Sequence, residues 1–439
     1  MFKPALTLML TLAACGGDDA AKTNTPAKAD TTKAAPAPAA EYTAKQEPLV
    51  GGPYPSLLLS QAWFLTVDGK PKPGPARLEI WRKGPAGWVT SKLEDPDSNV
   101  FHKAILNKDG SILTIGAMGA HFKRWQFTGG AWKQETLWTE SWGGKFDRLR
   151  DIEVGDVDGD GKDEYVIATH DYGVIAVYNP GENGNKPQII QMDKKADTFV
   201  HEIEIGDIEG DGKLEFFATP SDRNKASESQ HGEVVMYKYE GGTYVRSVVD
   251  PGKDTHAKEI LVADIDGDGK SEVFSVQEAI IRNKKELIKP VTIRQYKRNK
   301  KGKWKATEIA QITDRQTRFL IAEDFDGDGK KELIAAAMKT GLYRINPEGG
   351  GKWTTTQFDA NSGSFEHAIV AADIEGDGTR ELYVAADNQQ ELKRYDWNKG
   401  TGTFGQSFDG QQVLAYIWMD QERVSRLVWF NCSLEAAPL

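Results

Sequence analysis

The stretch 156-DVDGDGKDE-164 packs five carboxylates and two glycines into nine residues. Like charges at this density are not buried unpaired, because desolvating each one costs far more than a turn can return. The stretch is therefore a surface turn whose charge something else must offset. Its layout recurs four times: 207-DIEGDGKLE-215, 264-DIDGDGKSE-272, 324-DFDGDGKKE-332 and 373-DIEGDGTRE-381. The starts lie roughly 50 to 60 residues apart, so the chain is a repeat protein. Alternating runs such as "HEIEIG" and "KEILVA" precede the turns, and runs such as "YVIATH" and "LIAAAM" follow them. Period-two alternation with β-branched residues predicts strands, so each acidic turn joins two strands.

Each unit continues through a Gly-containing turn, a third strand ("GVIAVYN", "GEVVMYKY", "VTIRQYKR", "GLYRIN", "ELKRYDW"), a further turn and a fourth strand. Four strands in about 40 to 60 residues is the size of a propeller blade. Two more units lack the acidic turn. Residues 102–137 keep a degenerate one, Asn107-Lys108-Asp109-Gly110, and residues 56–93 read as a blade without its first strand. The run 411-QQVLAYIWMD-420 is expected to supply that strand and close the ring. The prediction is an all-β fold: a β-propeller of seven four-stranded blades, with the two termini sharing one blade. Two aromatic columns follow the repeat. Trp81, Trp125, Tyr178, Tyr237, Tyr296 and Tyr395 share a place on the third strand, where Ile345 stands in once; Trp88, Trp132, Tyr244, Trp304, Trp353 and Phe404 follow the next turn. Recurrence in nearly every blade favours wedges between blades over sugar-stacking platforms.

In the first acidic turn Asp156, Asp158 and Asp160 occupy positions 1, 3 and 5, and Glu164 occupies position 9. Gly161 permits the sharp bend, and Lys162 has a backbone carbonyl to offer. Hard oxygens converging from alternate positions suit Ca²⁺, which takes six to eight of them at about 2.3–2.6 Å. No Glu stands at position 12 and the flanks are strands, so the turn is not an EF-hand.

The D-x-[DE]-G-D-G-x-x-E turn inside a β repeat resembles the FG-GAP/VCBS repeats of the integrin α-subunit propeller and of many bacterial surface proteins. The resemblance covers residues 56–410. It implies Ca²⁺ in the hairpins between strands 1 and 2, in about five sites. Carried over position by position, the ligands are Asp156, Asp158, Asp160, Lys162 and Glu164; Asp207, Glu209, Asp211, Lys213 and Glu215; Asp264, Asp266, Asp268, Lys270 and Glu272; Asp324, Asp326, Asp328, Lys330 and Glu332; and Asp373, Glu375, Asp377, Thr379 and Glu381. Lys and Thr at position 7 serve through the main chain. Glu209 and Glu375 depart from the position-3 Asp, and their longer side chains are expected to weaken or reshape two sites.

Six residues before each turn stands a basic residue: Arg150, His201, Lys258, Arg318 and His367. In the resembled family the first strand lines the central channel, so this column would ring the channel mouth opposite the acidic hairpins. Such a ring suits an anion. The alternative reading pairs each cation locally with Asp151, Glu202, Glu259 or Glu366.

The remaining features bound location and chemistry. "MFKPALTLMLTLAAC" has one early cation, a short apolar core and small residues before Cys15, the layout of an export signal. Leu12-Ala13-Ala14-Cys15 resembles the lipobox of bacterial lipoproteins, which implies a signal peptide over 1–14 and a lipidated Cys15. Gly16 in place of Asp favours the outer membrane by the familiar sorting rule. Residues 15–48 are rich in Ala, Thr, Pro and Lys and read as a disordered tether spanning about 30 Å. The propeller is assigned to 49–430 and a tail to 431–439; Cys432 has no assigned role. With only Cys15 and Cys432, lipidation leaves no intramolecular disulfide, which makes metal ions the natural staple. A net charge of −10 argues against nucleic acid. No nucleophile elbow, phosphate loop, zinc spacing or cysteine nucleophile is present, and His170-Asp171 reads as ordinary turn chemistry. The expected function is a monomeric, non-catalytic binding module at the cell envelope for a protein or acidic glycan. The rival is a polysaccharide lyase-like propeller acting on an acidic glycan.

Overall fold

The computed structural model describes residues 56–407, apart from 63, 69, 85–86, 108, 146, 183, 194–197, 223–228, 364–367 and 390, and again 427–431. The expectations for the signal peptide, Cys15, the tether, Cys432 and His367 lie outside these residues.

The strands form seven four-stranded antiparallel sheets. Blades 2 to 7 are sequential, opening with the inner strands Phe101–Leu106, Leu149–Gly155, Thr198–Gly206, Ala257–Ala263, Thr317–Glu323 and Ala368–Ala372. Blade 1 is composite: Ser56–Ala62, Ala76–Gly84 and Gly87–Asp95 take the three outer places, and Leu427–Asn431 takes the innermost. Consecutive inner strands pack side by side from blade 2 to blade 7 and back through Leu427–Asn431, so the ring is closed. The closing strand is thus Leu427–Asn431, not the run 411–420, which falls outside the described residues; Leu58 pairs with Asn431 and Ala62 with Leu427. Asn431, assigned from the sequence to the tail, accordingly pairs within the propeller.

Burial decides strand character across each blade. Second strands are covered on both faces by neighbouring blades, so Glu164–Thr169 and Glu332–Ala337 are buried at every position and read as continuous apolar runs. Outer strands face water. Lys352–Asp359 is largely exposed and rich in Thr and Lys, which suits an edge strand that must not pair with another chain. The aromatic columns are wedges: Trp304 of blade 5 meets Phe217 of blade 4 edge-on at 6.2 Å, Trp353 of blade 6 meets Phe274 of blade 5 at 5.9 Å, and Trp88 of blade 1 meets Tyr383 of blade 7 at 6.5 Å.

Two blades carry an extra hairpin between their second and third strands. In blade 1, Phe64–Val67 pairs with Lys70–Pro73; in blade 5, Ile280–Arg282 pairs with Glu286–Lys289. Antiparallel order places these excursions at the end where inner strands begin, opposite the acidic hairpins.

Candidate metal hairpins and the axial tiers

The five acidic turns share one internal scaffold. The position-1 Asp accepts N–H bonds from both glycines: Gly159 and Gly161 donate to Asp156 at 2.7 and 2.9 Å, and the same pair recurs on Asp207, Asp264, Asp324 and Asp373. Gly159 and Gly161 adopt φ of 79° and 88°, a left-handed conformation that side chains disfavour. The position-9 Glu accepts the N–H of residue 2 (Val157 to Glu164, 3.0 Å), whose apolar side chain is buried beneath the turn. The position-5 Asp accepts the N–H of position 7, so Lys162, Lys213, Lys270, Lys330 and Thr379 all enter the turn as backbone donors.

Four of the five turns bring three carboxylates within 4.8 Å of one another: Asp156, Asp158 and Glu164; Asp264, Asp266 and Glu272; Asp324, Asp326 and Glu332; and Asp373, Asp377 and Glu381. Position 5 joins such a group in blade 7 alone; Asp160, Asp268 and Asp328 stay outside theirs. Burial, followed by the neighbouring Asp158, pushes Glu164 up to about 7, and burial does the same to Glu332 against the pull of Arg344. Crowded, partly desolvated carboxylates with spare lone pairs are a donor set that a hard cation relieves. These four sets are able to hold a metal ion.

The two turns with Glu at position 3 differ as their chemistry predicts. Glu209 reaches out to Lys238 at 2.6 Å and Arg298 at 2.7 Å, and Lys238 also lies 3.2 Å from Glu215. The protein's own ammonium stands among these carboxylates, and Asp207, Glu209, Asp211 and Glu215 do not form a gathered set. Glu375 likewise turns to Arg394 at 2.7 Å and Lys83 of blade 1 at 2.5 Å, and Asp377 takes its place in the gathered set.

At the opposite end, the basic column sits on a repeated β-bulge. Register shifts fall between Leu149 and Asp151, Val200 and Ile203, Ala257 and Glu259, and Thr317 and Phe319, placing Arg150, His201, Lys258 and Arg318 at the extra residue of each inner strand. A bulge re-aims a side chain without breaking the strand. Blade 2 has the same irregularity between Phe101 and Lys103, so His102 belongs to the column. The sequence reading missed it because the inner strand of blade 2 runs one residue less between bulge and turn, and counting six back from Asn107 lands on Phe101. Aligning on the following strand pair instead of the turn would have found it.

These side chains are buried rather than presented on an open rim: Arg150, Lys258 and Arg318 are at most 4% exposed and His201 is 0% exposed. One residue further along lies an acidic tier. Lys103 pairs with Asp151 at 2.9 Å and with Glu153, Asp151 accepts the N–H of Ile203 from the next blade at 2.6 Å, and Arg150 lies 3.6 Å from Glu202. Burial, then mutual repulsion, holds Glu202, Glu204 and Glu259 well above the usual carboxylate range. Local pairing therefore accounts for part of the column, as the alternative reading held. The His170-Asp171 pair forms no relay. The His170 ring stacks on Phe199 at 4.5 Å with neither nitrogen hydrogen-bonded to a described residue, while Asp171 accepts the backbone N–H of Arg148 at 3.4 Å.

Comparison with known proteins agrees with this geometry. The FG-GAP-like repeat family model matches residues 125–218 and 324–384. Among solved structures, the chain is similar to a lectin from Agrocybe aegerita that recognises non-reducing terminal N-acetylglucosamine (TM-score 0.50, 13% identity, covering 86% of this chain and 96% of that one). It is also similar to a protein from Lactobacillus plantarum (TM-score 0.53, 13% identity, covering 86% and 99%). At this identity the likeness is one of fold. No curated protein matches. The repeated acidic turns and the closed ring of inner strands make the chain a seven-bladed β-propeller, two stretches of which match the FG-GAP-like repeat model.

Proposed function

We propose that the protein is a calcium-stabilised, non-catalytic binding module that takes an acidic ligand, glycan or protein, on the face opposite its acidic hairpins. The observation that carries this reading is the projecting hairpin Ile280–Lys289. Arg282, Lys284 and Lys285 are exposed on it beside Leu287 and Ile288, which are 40% and 41% exposed. Ser229 of blade 4 pins its base by accepting the N–H of Ile281 at 2.9 Å, and Arg315 donates to the carbonyl of Lys284 at 3.3 Å. A held projection with a cationic turn at its tip and exposed apolar residues on its returning strand suits an anionic partner with some apolar surface. Calcium in the gathered carboxylate sets is the choice of ion that their all-oxygen chemistry favours. A lipid on Cys15 would hold the body at the outer membrane.

The test is a binding screen with uronate-containing and sulfated glycans and acidic proteins, with calcium and with chelator. Arg282→Glu, Lys284→Glu and Lys285→Glu together should weaken the acidic hits at least about tenfold with little change in Tm. Equal binding by this variant overturns the reading. The rival, β-elimination of a uronate polymer, would show as new ultraviolet absorbance from an unsaturated product on incubation with such polymers.

A further inference from the structure

Lys258 Nζ lies 3.3 Å from His201 Nδ1. An ammonium has donors only, so Nδ1 is the acceptor and the ring proton sits on Nε2. Burial, then Lys258, lowers the His201 pKa well below its usual value and keeps the ring in this neutral form. Yet Nε2 has no hydrogen-bond partner among the described residues, and the side chain is 0% exposed. A fully buried N–H donor left without an acceptor is rare, and it calls for an unseen one.

The surroundings say what kind. The ring of His256 stacks on His201 at 5.3 Å and that of His170 stands edge-on at 5.1 Å, so two aromatic walls enclose it. The charges of Lys258, Arg150 and Arg318 all act on the ring. Each comes from the bulge of a different inner strand, so blades 3, 5 and 6 deliver cations around the imidazole of blade 4. Of the acids in the next tier, Asp151 and Glu153 turn to Lys103, and Glu202 lies 3.6 Å from Arg150. A buried, oriented donor among cations favours negative charge.

We propose that the bulge tier holds one small buried anion, of chloride or formate size, accepted by the Nε2–H of His201 and flanked by Arg150, Lys258 and Arg318. It is a resident counter-ion, independent of what binds the outer face: side chains at most 4% exposed admit no polymer. Its role is to give the Nε2–H of His201 the acceptor that no described residue supplies.

The experiment measures Tm at fixed calcium and fixed ionic strength while chloride or formate replaces the bulky anion isethionate. A saturable rise of about a few degrees is expected, because an ion bound only by the folded state stabilises it by mass action. His201→Phe keeps the ring and its burial but removes the donor, and should abolish the dependence. Should that variant not fold, crystals of the unaltered protein grown in bromide should show an anomalous peak within hydrogen-bond reach of His201 Nε2. Equal Tm in chloride and isethionate, or a bromide-free water at that nitrogen, overturns the proposal.

Discussion

Lys238 shows how one side chain rewrites a metal turn. A Glu at position 3 is one methylene longer than an Asp, overshoots the centre of the turn, and finds Lys238 and Arg298 instead. Replacing Lys238→Met removes the internal cation and should raise the calcium titration end point by one equivalent; an unchanged end point would place the control in Arg298. The acidic tier supplies a pH signature. Burial, then Glu202 and Glu204, raises the Glu259 pKa, so its contribution to stability is present below the unfolded value and lost as pH rises through the folded one. Glu259→Gln removes that loss. It should raise stability by about 1–3 kcal/mol at pH 8 and by almost nothing at pH 4, read from Tm at both values. At this scale the acidic turns were legible, because their residue types recur at fixed spacing. The salt bridges of Lys238 to Glu209 and Glu215 were not, since Lys238 lies on the third strand of the blade, away from the turn.

Among elements, the second strands and their aromatic wedges carry the packing. Phe274 is 0% exposed and sits against Trp353 of the next blade. Phe274→Ala leaves a cavity between two sheets and should cost about 3–5 kcal/mol, measured by denaturant unfolding in calcium. A cost below about 1 kcal/mol would mean the blades do not rely on the wedge. Strand order was readable because alternation and turn residues repeat with every blade. The hairpin Ile280–Lys289 was not separated from its blade, since a short exposed excursion has the same period as a strand pair. The bulges were invisible as such: an extra residue in a strand leaves no mark on composition, and only the register of the partner strand reveals it.

Closure governs the whole molecule. Leu427–Asn431 completes blade 1 and joins the inner strands of blades 2 and 7, so the ends of the chain are tied without a covalent link. Ending the chain after residue 407 should expose the edge of Ser56–Ala62 and lower Tm by about 5 °C or more, with blade 1 the first region cut by protease. The seven-blade count was legible from the repeat, and so was the need for a closing strand from the C-terminal region. Its position was not, because 411–420 and 427–431 are both apolar enough to serve and only pairing register chooses between them. The gathered carboxylate sets bear on all three scales, because the calcium proposed for them would fix residues within a turn and, through the turn, the first hairpin of each blade. Calorimetric titration of the chelator-stripped protein, followed by thermal unfolding with and without the ion, tests this most directly. Uptake of close to four calcium ions per chain, one for each gathered carboxylate set, and a clear fall in Tm on chelation are predicted; no heat of binding and an unmoved Tm would contradict the account.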